Sequence, residues 1–160
     1  MKKILLPLVA VLSVSCLVAQ SRSATNLDVY FTVPDVHYIA FTDNAPMNFT
    51  LRHDGNSGRL YEPETRSKSY NITTTGTNKR LLAKLDQNMP TNTFLEVRAD
   101  PPRNATSVGY VSLNAMQQPL VTGITNVQQN GLLMDVRLRA ELGAPVVNNH
   151  NRLITFTISD

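Results

Sequence analysis

The stretch LLMDVRLRAE, residues 132–141, decides how the rest of the chain is read. Leu132, Met134, Val136, Leu138 and Ala140 alternate with Leu133, Asp135, Arg137, Arg139 and Glu141. Successive side chains of an extended strand point to opposite faces, so this alternation puts one row in a core and the other toward water. The segment predicts a half-buried β-strand.

The same two-residue period recurs along the chain. In residues 25–36 (TNLDVYFTVPDV), Leu27, Val29, Phe31 and Val33 alternate with Asp28, Tyr30 and Thr32. Residues 36–42 (VHYIAFT) are β-prone, and Pro34 before them points to an edge or a bulge. Met47, Phe49 and Leu51 predict another strand, and residues 53–64 (HDGNSGRLYEPE) a loop. Strands are expected at 67–75, 81–85 and 94–99, and at 107–113 with a bend at Gly109. A short strand is expected within 120–127, and a last one over 153–159 (LITFTIS). The paired prolines in 100–106 (DPPRNAT) remove backbone donors and exclude regular structure there. Residues 80–87 (RLLAKLDQ) come nearest to a helix and are short. Eight to ten short strands separated by turn residues read as an all-β sandwich or barrel. An outer-membrane barrel needs an aromatic-girdled apolar band. Only 6% of residues are aromatic and the chain ends in Ser159-Asp160, which favours the sandwich.

The first residues read differently. Met1-Lys2-Lys3 is followed by an apolar run from Ile4 to Val14, then small and polar residues, the layout of a secretory signal peptide. The run is too short and interrupted for a membrane span, which needs about 20 apolar residues. Ser21 and Ser23 suit a cut after Ser23, giving a 1–23 signal peptide and a 24–160 β-sandwich domain; Ala19 and Ser21 also fit the cleavage rule. Cys16 raises the rival of a lipid anchor, with Val14-Ser15 ahead of it. Ser13 and the apolar residues 17–19 depart from that pattern. The preferred cut takes Lys2, Lys3 and Arg22 from the 15 basic residues, and the remainder balance the 12 acidic ones. A near-neutral chain without a Lys/Arg cluster gives no footprint for nucleic acid. The cut also removes the only cysteine, so stability must come from burial. The expected location is periplasmic, cell-surface or extracellular.

No reaction chemistry emerges from spacing. His37, His53 and His150 are isolated, and only His53 has an adjacent carboxylate, Asp54. Asp54-Gly55-Asn56-Ser57-Gly58 lacks the third acid and closing glutamate of a calcium loop. It also lacks the glycine spacing of a nucleophile elbow. Glu62 and Glu64 flank Pro63 as solvated loop charges. No catalytic, cofactor-binding or metal residues are assigned and no cofactor is expected. Tyr30, Tyr61 and Tyr110 are candidates for an exposed ligand platform, while Phe31, Phe49 and Phe156 fall on core-type positions.

Residues 81–97 (LLAKLDQNMPTNTFLEV), Val121-Thr122-Gly123-Ile124 and residues 152–160 (RLITFTISD) resemble small secreted bacterial Ig-like β-sandwich proteins. The layout of leader, alternating N-terminal strand, body and alternating C-terminal strand is similar to that of cysteine-free fimbrial subunits. The Gly- and Tyr-rich approach to their last strand is replaced here by VVNNHNR, residues 146–152. The resemblance implies a single Ig-like antiparallel β-sandwich with a non-catalytic, structural role. It also implies that Leu27, Val29, Phe31 and Val33 can form a strand-pairing interface, adding to a neighbour's sheet. The alternative, favoured here, is that they pair within their own domain as a first strand. A glycan- or small-ligand-binding module is the second reading of function.

Overall fold

The computed structural model describes residues 28–52 and 63–160. The chain divides into two units, Met1–Thr32 and Val33–Asp160. Of the first, only residues 28–32 are described; they carry no strand and are exposed.

The second unit is an antiparallel β-sandwich of nine strands: β1 His37–Phe41, β2 Glu64–Thr74, β3 Lys79–Leu85, β4 Thr93–Ala99, β5 Thr106–Ser107, β6 Val111–Ser112, β7 Gln118–Ile124, β8 Val127–Ala140 and β9 Ile154–Ser159. One sheet has the order β1-β2-β8-β4-β6, the other β5-β7-β3-β9. Only β1 and β2 are consecutive strands of one sheet; from β2 onward every connection passes to the opposite sheet.

The long central strand β8 pairs with β2 on one side and β4 on the other. Leu132, Met134 and Val136 point inward and are buried, while Leu133 on the other face is about half exposed. The strand begins five residues before the expected alternation, across Gln128-Gln129-Asn130-Gly131. Its register against β2 steps from Tyr70↔Leu132 to Ile72↔Gln129, so β8 carries one extra residue. Gly131 absorbs it at φ 73°, and its N–H donates to Asn71 Oδ1 at 3.0 Å. An inserted residue exchanges the faces of a strand. Odd-numbered Val127 therefore packs on the same core as even-numbered Leu132 and Met134.

Between the sheets, Tyr70 and Ile72 of β2 and Val97 of β4 meet Leu81 and Leu85 of β3 and Leu120, Val121 and Ile124 of β7. The Tyr70 ring is fully buried and its hydroxyl donates to the Asp100 carbonyl at 2.5 Å. Burial, then the nearby Asp100 carboxylate, push that phenol well above its ordinary range. At the β1 and β9 edges, Phe41 and Phe156 close the seam with ring centroids 5.2 Å apart.

Several expected elements are corrected. Residues 28–36 are not a strand; the first ladder begins at His37, after Pro34, which has no N–H to donate. Leu27 lies outside the described residues. Residues 107–113 are not one strand. Gly109, at φ 91°, turns the chain so that β5 and β6 join different sheets. The strand expected at 81–85 is present as β3, which pairs on both sides. Met47, Phe49 and Leu51 keep their inward alternation without a backbone ladder. Of the loop expected over 53–64, residues 53–62 lie outside the described residues, and Glu64 already belongs to β2.

Truncating Met134 to Ala is expected to cost about 2–5 kcal/mol in urea unfolding, as a buried cavity. Leu133→Ala, on the exposed face, should stay within about 0.5 kcal/mol. Tyr70→Phe should cost about 1 kcal/mol, because the part-buried Asp100 carbonyl loses its donor.

Candidate interaction surfaces

The inward row of β2 changes character halfway. Tyr70, Ile72 and Thr74 are buried, but two, four and six residues before Tyr70 the same face carries Lys68, Arg66 and Glu64. Their ladder partners are Met134, Val136 and Leu138, all core-facing. Residues directly opposite in an antiparallel pair share a face, so three charged groups stand where apolar contacts would continue. Of the three, Lys68 borders a cleft of about 1220 Å³, lined by Phe41, Met47, Phe49, Met134, Leu138 and Phe156 among others, with His150 and Arg152 along it.

Residues 43–52 run along this cleft. Lys68 Nζ donates to the carbonyls of Asp43, at 2.9 Å, and Ala45. The Thr50 N–H donates to Glu64 Oε2 at 2.5 Å. Glu64 also accepts from Arg66. The Glu64 carboxyl is held below its usual range, first by the Thr50 N–H and then by the cations Arg66 and Arg52. Asp43 is lowered too, first by the Ala45 N–H and then by Lys68; partial desolvation opposes both shifts.

A second surface is the outer face of the five-stranded sheet. Arg98 of β4 pairs with Asp135 of β8 at 2.8 Å, and Arg137 pairs with Glu96 at 2.8 Å. Ser67 donates to Asp135 at 2.6 Å. Tyr110 lies beneath two guanidiniums, with Arg137 3.9 Å and Arg98 5.6 Å from its ring centre. Arg139 covers Phe94 at 4.4 Å. Each arginine already faces a carboxylate, so the patch offers a stacked aromatic with little unbalanced positive charge.

The expected site residues separate accordingly. Val29, Phe31 and Val33 are 71%, 84% and 76% exposed and carry no ladder. Tyr30 is exposed in the first unit, Tyr61 lies outside the described residues, and Tyr110 alone is placed on the sandwich. His37 Nδ1 lies 2.8 Å from the Thr74 hydroxyl. His53, the Asp54–Gly58 stretch and Glu62 lie outside the described residues. Glu64, expected as a solvated loop charge, instead tethers a backbone amide from within β2. Among the described residues no three His, Cys, Asp or Glu side chains gather as metal ligands, and no helix is long and apolar enough to cross a membrane. The charged inward row was missed, although continuing the Ile72, Tyr70 count backward by twos reaches Lys68, Arg66 and Glu64. Tyr110 and Arg137 are brought together by β6 and β8 with no local signal. No protein-family model matches this chain, and no curated protein matches it.

Groups with lowered carboxyl pKa values stabilise what they hold while ionised, and that contribution is lost as pH falls through the folded value. The amide shifts of Ala45 and Thr50 should therefore be steady from pH 8 to 5, and each should move only as pH falls below the ordinary range of its own carboxyl partner. Glu64→Gln should abolish the titration seen at Thr50 and leave that at Ala45, read by two-dimensional NMR.

Proposed function

We propose that this chain is an exported, non-catalytic structural or interaction protein of the bacterial envelope or cell surface. In its specific form it is a fimbria-like subunit that joins a neighbour by strand addition. The observation that carries this reading is the segment 28–33: extended in pattern, apolar at every second residue, and exposed without a ladder. Apolar rows left in water mark interaction sites, and period-two spacing suits an added strand, whose main chain gives affinity and whose side chains set register. The edge strands are β1 and β6 in one sheet and β5 and β9 in the other; β5 and β6 are two residues long, which leaves β1 and β9 as the longer edges. Along β9, Ile154–Ser159 contains no proline or charge to discourage pairing. The N-terminal leader pattern supports export, with the cut after Ser23 and no acylated Cys16.

The glycan- or small-ligand reading has one observation in its favour: the Tyr110 ring, held in place by Arg98 and Arg137 and still 37% exposed. A glycan array probed with the mature protein and with Tyr110→Ala separates the two readings; a blank array removes this one.

For the assembly reading, mature protein from native cell fractions should run as multimers in size-exclusion chromatography and show fibres by electron microscopy. Phe31→Asp should shift it to monomer with an unchanged β-rich circular dichroism spectrum. A strictly monomeric native species would overturn the reading.

A further inference from the structure

A segment that packs like an edge strand but is fastened only by side chains can be released without breaking a ladder. Among the described residues, 43–52 meet that description. Beside them, β1 pairs with β2 only as far as Phe41↔Tyr70, followed by one bond from Thr42 N–H to the Ser69 carbonyl. Beyond that point, no backbone hydrogen bond joins residues 43–52 to Glu64–Lys68 among the described residues. The fastening is supplied by two β2 side chains instead, Lys68 to the carbonyls of Asp43 and Ala45, and Glu64 to the Thr50 amide. The rest is apolar: Met47 and Phe49 pack half-buried against the core, while Asn48 and Thr50 face water.

We propose that residues 43–52 form a releasable strap, latched by Lys68 and Glu64, which shuts the apolar cleft and covers the backbone edge of Glu64–Lys68. Release leaves both sheets intact, because the β2–β8 and β4–β8 ladders do not use this edge of β2, and the β1–β2 ladder ends at Phe41, before the strap begins. It bares Met134, Leu138 and Phe156 along the cleft together with an unpaired strand edge, the combination that accepts another chain. The charged inward row is thus a compromise. It weakens the packing between the sheets at this end, and it confines the opening to one short segment. The inference stands on the sandwich alone and does not depend on the assembly role of residues 28–33.

The test is native-state proteolysis of the mature protein with chymotrypsin, following cleavage after Phe49 as urea is raised. A separately opening strap gives a cleavage rate nearly independent of urea at low concentration. Cleavage at buried Tyr70 follows global unfolding throughout. Lys68→Met, which keeps the stem and removes the donors, should speed Phe49 cleavage at least tenfold with Tyr70 cleavage little changed; Glu64→Gln should act in the same direction. Binding of a hydrophobic dye should rise in both variants. If Phe49 cleavage in the wild-type protein shows the same urea dependence as Tyr70, the strap opens only with the whole fold and the proposal fails. It fails equally if both variants fold and leave the Phe49 rate unchanged.

Discussion

A strand exchanges faces at every residue, and β8 has to obey that rule against two neighbours and an opposing sheet at once. Fourteen residues long, it carries the inner wall of the core through Leu132, Met134 and Val136. It presents Asp135, Arg137 and Arg139 to the ion pairs of the outer face. A slip of one residue would drive three arginine or aspartate side chains into the apolar layer. The extra residue at Asn130-Gly131 is tolerated because Gly131 accepts a positive φ and Asn71 satisfies its amide. With the phase reset there, Val127 rejoins the core, and the β2 ladder runs from Val127 to Leu138.

That constraint matters more here because turns contribute little to register. Every connection from β2 onward leaves its sheet, so the ladders of β8 with β2 and β4 join strands far apart in sequence. Burial of alternate side chains has to choose the pairing. Among the described residues, five asparagines at positive φ, including Asn78, Asn92 and Asn126, mark how sharply the connections between sheets bend. The expected cost is slow folding, since non-local pairing must be assembled before it is rewarded.

The same face rule shapes the surfaces available for interaction. Where β2 continues its inward row with Lys68, Arg66 and Glu64, full burial gives way to partial burial, and Lys68 borders an apolar cleft. Charges pointed inward near an open edge discourage uncontrolled pairing, and here they also fasten the backbone of residues 43–52. On the opposite side of the sheet, the arginines are spent on carboxylates and on the Tyr110 and Phe94 rings. That face has aromatic shape with little free charge.

Much of this architecture was legible in residue order. Alternation at 132–140, 81–85, 94–99 and 153–159 located β8, β3, β4 and β9, because face alternation is local and survives any tertiary arrangement. Alternation could not tell whether a segment finds a ladder. Residues 28–36 and 47–51 carry the pattern without the strand, since pairing depends on what backbone lies alongside. The split at Gly109 and the phase reset at Gly131 were hidden for a related reason: a glycine permits a bend, and the neighbouring strands decide whether it is used. The amino-acid order thus determined the class of fold, the core rows and the absence of any local catalytic motif. Which strands became neighbours, where the inward charges opened a cleft, and how Tyr110 came to lie under Arg137 were decided by tertiary structure, because each joins residues whose proximity no short-range pattern encodes.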